Sequence, residues 1–253
     1  EIYEFCNIYE EFGLPFWFNT RAENCDAEIL ERLKEVGCYR ISFGIESGNE
    51  EYRQKVLKRK STNAAILKRF EAISDSKIAF SVNLIIGMPG ETRELVMDTV
   101  EMVRSIRGYD ALTVSIFTPY HGTILRDVAA KNGWMDPGTI TKHTTSSSLL
   151  RMPPPYLNAD EIDGLVATIP LYCYFPKSEW EQLRRAEAND AEGLRIREHY
   201  AAIYCREFLR ETQDMKNDFI PQGGSGCKSN PKDSYRFSPK RMSKEEIALL
   251  TVC

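Results

Sequence analysis

Ile78-Ala79-Phe80-Ser81-Val82-Asn83-Leu84-Ile85-Ile86, running straight into Gly87-Met88-Pro89-Gly90-Glu91-Thr92, is the stretch on which the fold turns. The first part is apolar and rich in β-branched residues, the composition of a strand, and the Gly/Pro motif ends it in a turn before a helical pattern begins. The same arrangement occurs on either side of it. Tyr39 to Phe43 leads into Gly44-Ile45-Glu46-Ser47-Gly48-Asn49, and Leu112 to Phe117 leads into Thr118-Pro119-Tyr120-His121-Gly122-Thr123. Further upstream, Leu14 to Arg21 reads as a strand with its polar residues at the downstream end. Asp26 then caps a helix whose Ile29, Leu30, Leu33 and Val36 form an apolar stripe, and Gly37 ends it. Counted at Thr20, Glu46, Gly87 and Pro119, these are four strand, polar tip, helix units. Such a series predicts an α/β fold with a parallel sheet and outer helices, and polar motifs recurring at one topological point imply one shared site at the strands' carboxyl ends.

The 253 residues, 42% of them hydrophobic, can bury a real core. A formal charge of −4 gives no broad basic surface for a polyanion, so nucleic acid is not an expected partner. No apolar run approaches the ~18 residues of a membrane span, no membrane partner is expected, and cytoplasmic placement is the default. Cysteines stand at 6, 25, 38, 173, 205, 227 and 253. Their odd number and scatter read as reduced, mostly buried thiols rather than a disulfide framework or a compact metal clip, so no metal ligand is assigned.

The flanks differ from the middle. Glu1 to Phe12 has Ile2, Phe5, Ile8, Tyr9 and Phe12 at helical spacing, with Gly13 as a stop, so the chain is expected to be a fragment whose missing part holds at least the preceding strand. After Asn132-Gly133 the pattern changes. Asp136 to Ser148 reads as a loop, Pro153-Pro154-Pro155 as a stiff break, and helices are expected from Asn158 or Asp160 to about Thr168, over Glu179 to Glu187 and over Glu192 to Glu211. The division is therefore 1–135 for the β/α units, 136–211 for a loop and helical extension, and 212–253 for a polar, mobile tail in which Ser243 to Val252 could form a last short helix.

The three motifs in this order resemble the radical S-adenosylmethionine (SAM) superfamily, most closely its branch that often carries an N-terminal cobalamin-binding domain. The resemblance covers about residues 1–150, and Ser146 to Lys177 is similar to that branch's C-terminal extension. It implies the C-terminal part of a partial (β/α)6 barrel, third to sixth units. In that family a C-x-x-x-C-x-x-C loop after the first strand holds a [4Fe-4S] cluster, SAM chelates the cluster, and reductive cleavage of SAM yields a 5′-deoxyadenosyl radical. The triplet is absent from this sequence, as expected of a chain beginning at the third unit. SAM and the cluster are thus the implied cofactors, with cobalamin to be judged from an upstream domain, and a flavodoxin or ferredoxin is the implied reductant.

The resemblance also implies roles for individual residues. Glu46 and Ser47 match positions that bind the SAM ribose hydroxyls or amino group, and a carboxylate there can accept two hydrogen bonds. Ile85, Ile86 and Gly87 match the strand that packs on adenine, with Gly87 allowing close backbone approach and Pro89-Gly90 making the turn. Thr118, Pro119 and Tyr120 match the segment that contacts adenine by backbone and ring stacking; His121 and Ile124 stand where many relatives have proline. Asn19, Thr20, Arg21 and Asn83 are polar at or near strand ends, and Arg21 serves either as a fork for the SAM carboxylate or as a bridge to Glu23 or Glu46. Glu91 reads as a first-turn helix carboxylate, His121 as a surface or locally bonded histidine, and Lys55 to Lys60 as a solvated helix face. No catalytic residue is assigned.

Three functions follow. In the first, the parent protein is a radical SAM enzyme acting on a small molecule, with cobalamin-dependent methyl transfer as one form, and this piece is inactive alone because it cannot anchor the cluster. The second has RNA or a protein side chain as substrate. The third is a non-catalytic barrel that binds a nucleoside or serves as a scaffold.

Overall fold

A computed structural model of the chain describes residues 1–141 and 146–217, with the side chains of its last helix described as far as Phe208. Four strands, β1 (Phe16–Thr20), β2 (Cys38–Glu46), β3 (Ala79–Ile86) and β4 (Ala111–Ile116), form one parallel sheet in the order β1-β2-β3-β4. Helix α1 (Ile2–Tyr9) precedes β1, α2 (Ala27–Glu35) joins β1 to β2, α3 (Glu50–Lys55) and α4 (Asn63–Ser76) join β2 to β3, α5 (Arg93–Arg104) joins β3 to β4, and α6 (Ile124–Lys131) follows β4. Neighbouring strands joined by helical crossovers in strict sequence produce a singly wound sheet, the arrangement of part of a β/α barrel.

Strand alternation decides which face is covered. Ile41, Phe43 and Ile45 of β2 and Phe80, Val82, Leu84 and Ile86 of β3 enter one buried core with Leu30 and Leu33 of α2, Phe70 of α4 and Val96, Val100 and Val103 of α5. Phe43 meets Phe70 and Phe80 edge-on, with ring centroids 5.5 and 6.0 Å apart. The opposite face carries smaller and polar groups: Asn19 pairs in register with Ser42, Ser42 with Ser81, Gly44 with Asn83, and Asn83 with Thr113. Ser81 Oγ donates to Ser42 Oγ at 2.9 Å, which satisfies the two hydroxyls buried there. At the amino ends of the strands, Arg40 forms a fork with both carboxylate oxygens of Asp110, a tie on the side away from the tips.

The extension consists of α7 (Ala159–Tyr174), α8 (Trp180–Ala186) and α9 (Ala191–Asn217). Asn158 and Glu161 start α7 with a reciprocal capping box. The expected end near Thr168 is too early, because the helix continues through Pro170 to Tyr174. A proline removes one backbone donor from the ladder. The end of the helix is compensated by Arg104 of α5, whose Nη1 donates to the carbonyls of Tyr172, Cys173 and Phe175 at 2.7, 3.1 and 2.7 Å. Glu187 completes the docking by accepting both guanidinium nitrogens of Arg93 and the hydroxyl of Tyr172. Helix α9 runs past Glu211 to Asn217, so the first residues assigned to the tail are helical; the rest of the tail, the helix expected over Ser243 to Val252, Cys227 and Cys253 lie outside the described residues. Cys6, Cys25, Cys38 and Cys173 are buried free thiols, and Cys205 is an exposed one.

Candidate functional site at the carboxyl ends of the strands

Glu46 ends β2 in an unusual backbone state. A register shift between Gly44 and Glu46 bulges the strand, and Glu46 takes φ 65°, the left-handed region that costs a residue with a side chain. Its carboxylate folds back over Gly44: a Cβ at that position would stand 2.4 Å from Glu46 Oε1. Only glycine leaves that space.

Arg59 holds the folded carboxylate. Its Nη2 donates to Glu46 Oε1 at 3.0 Å and its Nη1 to the Gly44 carbonyl at 2.9 Å, so one guanidinium fastens both sides of the bulge. Burial pushes the Glu46 pKa up, while the Arg59 charge, the Arg59 hydrogen bond and the more distant Arg21 charge pull it down. The net direction is upward. Arg59 belongs to the run Lys55 to Lys60, and the expectation of a solvated helix face is corrected there. Helix α3 stops at Lys55, Lys58 turns the chain with φ 56°, and the chain folds back so that Arg59 N–H donates to the Arg53 carbonyl at 3.2 Å. Arg53 lies fully buried beneath, donating to the carbonyls of Ser47 at 3.0 Å and Ser61 at 2.8 Å.

Ser47 is wholly enclosed. Its Oγ is buried without a hydrogen-bond partner among the described residues, and its N–H donates to the Ile45 carbonyl at 2.9 Å. Glu46 therefore faces the tip of β2 while Ser47 lies under it.

The tip of β3 is built differently. Asn83 and Ile85 alternate onto the open face and are half-buried, whereas Ile86 is buried among the helices. Gly87 turns the chain with φ 78°, and a Cβ there would press on Ile162 Cδ1 at 2.8 Å. Glu91 is not a first-turn helix residue: α5 begins at Arg93 with Thr92 as its cap, and Glu91 sits in the turn before it, fully buried. Its Oε2 accepts the N–H of Gly87 at 2.6 Å and of Met88 at 3.3 Å, while Oε1 has no partner among the described residues. Burial pushes this carboxyl up to about 8, against the lowering effect of the two amides.

At the tip of β4, Phe117 N–H donates to the Ile86 carbonyl at 2.8 Å, which keeps this tip beside that of β3. Thr118 is half-buried, Pro119 buried, and Tyr120 and His121 exposed. Arg126, buried in α6, donates to the Pro119 carbonyl at 2.9 Å and also to Pro137 O, Thr139 O and Thr141 Oγ1. Arg21, exposed just after β1, completes the row, since Thr20 pairs with Phe43. Strand register thus brings the tips of all four strands to one end of the sheet. Arg59, Arg53 and Arg126 were not legible as site residues, because each acts on backbone carbonyls through a loop that returns, and a single basic side chain carries no local mark of such a return.

Comparison with known proteins agrees with this architecture. A family model for the radical SAM superfamily matches residues 1–103. Residues 1–103 thus match the radical SAM superfamily. An uncharacterized methyltransferase of Pyrococcus horikoshii is 28% identical over 147 residues, 56% of this chain and 31% of that protein. Two tRNA-2-methylthio-N(6)-dimethylallyladenosine synthases are 32% identical: that of Lachnoclostridium phytofermentans over 98 residues, 38% of this chain and 21% of its own, and that of Herpetosiphon aurantiacus over 105 residues, 41% and 22%. The chain matches between about a fifth and a third of the length of these relatives. The radical SAM segment thus takes in β1 to β3 and most of α5. Among the described residues no group of three or more His, Cys, Asp or Glu is arranged to hold a metal ion. No helix among them is long and apolar enough to cross a membrane.

Proposed function

We propose that the chain supplies the SAM-binding strand ends of a radical SAM enzyme. The observation that carries this is the Glu46 bulge: a strained backbone, a glycine that leaves room for the carboxylate, and an arginine that holds it, all at a strand's carboxyl end within the radical SAM segment. The residues fit the nucleoside part of SAM. Glu46 would accept ribose hydroxyl or amino hydrogens, Arg59 would keep that carboxylate charged and aimed, and Arg21 adds a second cation near it. The open face along Asn83 and Ile85, the Gly87 turn and the Thr118 to Tyr120 segment would flank the adenine. SAM and a [4Fe-4S] cluster, when bound, supply reductive SAM cleavage; this chain's own residues bind and orient.

The substrate we propose is a small molecule, with the methyltransferase relative as support for methyl transfer, cobalamin-dependent in one form. A reductant of the flavodoxin or ferredoxin type would be the protein partner. A second reading, modification of tRNA, is favoured by the two methylthio-transfer relatives, while the net charge of −4 speaks against a broad RNA-binding surface on this part. The test is reductive SAM cleavage by the intact, cluster-loaded protein, read as 5′-deoxyadenosine, first alone and then with bulk tRNA. Cleavage stimulated by tRNA supports the second reading; cleavage indifferent to tRNA supports the first. An intact protein that loads a cluster but forms no 5′-deoxyadenosine contradicts both, and the 253-residue chain alone is expected to form none.

A further inference from the structure

The turn after β3 is gripped from outside. Four separate contacts reach it from residues 150–162, a segment that begins more than half the chain's described length away from β1 and leads into α7. Gly90 N–H donates to the Met152 sulfur at 3.3 Å. Leu157 N–H donates to the Glu91 carbonyl at 3.1 Å, and Thr92 and Tyr156 form an isolated antiparallel bridge. Ile162 lies against the Gly87 α-carbon so closely that a methyl group there would clash. The segment is itself anchored, since Arg151 N–H donates to the Trp134 carbonyl at 2.7 Å and the Trp134 and Tyr156 rings stand 5.3 Å apart. From inside, the Glu91 carboxyl side chain takes the Gly87 and Met88 amides, and Tyr52 of α3 donates its hydroxyl to the Pro89 carbonyl at 2.9 Å. Each peptide from Gly87 to Glu91 is therefore tied either to Glu91 itself, to α3 or to the extension.

We infer that residues 150–162 are a strap that sets the conformation of the Gly87–Glu91 turn, with Glu91 the positioning residue inside the turn and Met152 and Ile162 positioning residues on the strap. What the turn is held for rests on the reading of this strand end as part of the SAM site. The mechanics do not. A backbone turn with two glycines has many conformations to lose, and a ligand that packs on it binds more weakly by the fraction of time the turn spends elsewhere. Fixing the turn from a separate element removes that loss before the ligand arrives. The consequence is that the extension acts on the nucleoside site through the turn, without touching the ligand.

The test is amide hydrogen exchange of the full 253-residue chain by NMR, with S-adenosylhomocysteine affinity of the intact protein measured beside it. Ile162→Ala and Glu91→Ala are expected to speed exchange at Gly87 and Met88 about tenfold while the Ser81 and Val82 amides in the middle of β3 stay as they were. Glu91→Gln, whose amide oxygen can accept the same bonds, is expected to restore slow exchange. Met152→Leu, which keeps volume and removes the sulfur acceptor, should loosen Gly90 alone, and serves if either alanine variant does not fold. Unchanged exchange at Gly87 and Met88 in the folded variants overturns the strap, as does faster exchange spread evenly over β3, which would mean general destabilisation. In the ligand arm, affinity weakened roughly tenfold by Ile162→Ala supports the positioning role. Unchanged affinity with a loosened turn overturns that role. Absence of S-adenosylhomocysteine binding by the wild-type intact protein counts against the SAM-site reading, with the strap then judged on exchange alone.

Discussion

Arg59 and Glu46 meet at 3.0 Å across a strand bulge, and the same guanidinium also takes the carbonyl of Gly44, so the charge that balances the carboxylate is the group that fixes the backbone carrying it. Position and ionisation of Glu46 are thereby coupled. Both side chains are mostly buried, with 15% and 18% of their surface exposed, which makes the pair more than a surface contact.

Arg59→Ala removes the largest and second-largest influences that lower the Glu46 pKa and leaves desolvation in place. The Glu46 carboxyl should titrate higher than in the wild type, and the protein should lose about 1–3 kcal/mol of stability. Carbon-detected NMR titration of the Glu46 carboxyl measures the first and urea unfolding the second. An unshifted titration would contradict the pairing.

Gly44→Ala tests the bulge by sterics alone. Gly44 has no left-handed backbone requirement, but its added methyl would meet Glu46 Oε1, so the carboxylate must swing away from Arg59. Stability should change by less than about 2 kcal/mol, because the side chain can move, while binding of an adenosyl ligand weakens clearly. Thermal unfolding and calorimetric titration separate the two effects.

Glu91 gives a pH signature. Its folded-state pKa of about 8 lies above the ordinary carboxylate value of 4.5, so between those values the folded state holds a proton that the unfolded state has released. Stability conferred by this group is therefore greatest at low pH and is lost as pH rises through about 8, with a slope of up to ~1.4 kcal/mol per pH unit. Glu91→Gln should flatten the profile between about pH 5 and pH 8. Urea midpoints across that range for the two proteins decide it, and parallel profiles would show that Glu91 does not titrate there.

Arg126 supports the β4 tip through four neutral acceptors. Arg126→Met should cost about 1–3 kcal/mol, since the buried Pro119 carbonyl keeps only the Thr141 hydroxyl and the Pro137 and Thr139 carbonyls nearer the surface lose the guanidinium, and should loosen Pro119 and Tyr120. Arg126→Lys should recover less than half of that loss, because an ammonium cannot fork to acceptors on both sides. Unfolding free energies of the three proteins are the check.

The sheet was readable because strand, turn and helix succeed one another with period changes that local composition reveals: Ile78 to Ile86 could be little other than a strand, and its Gly/Pro ending marks the direction. The position of the four tips follows from that order. Glu46 was legible as a residue type at a place, but its left-handed backbone and its fold over Gly44 were not, since they depend on a bulge that pairing with β3 creates. Arg59 looked like one of several cations on a helix face because α3 ends early, and that end is set by Arg53 and the returning loop rather than by a breaker in the run. Helix α7 outlasts Pro170 for a similar reason: Arg104, far away in sequence, supplies donors to its last turn. The last two departures came from a long side chain satisfying carbonyls outside its own helix.

The most direct test of the central claim is calorimetric titration of SAM into the intact, cluster-loaded protein and its Glu46→Ala and Glu91→Ala variants. If the strand ends form the SAM site as described, Glu46→Ala weakens binding by about tenfold or more, and Glu91→Ala, which acts only through the turn, weakens it less. Equal affinities in the two variants, or a Glu46→Ala protein that binds SAM like the wild type, would contradict the site.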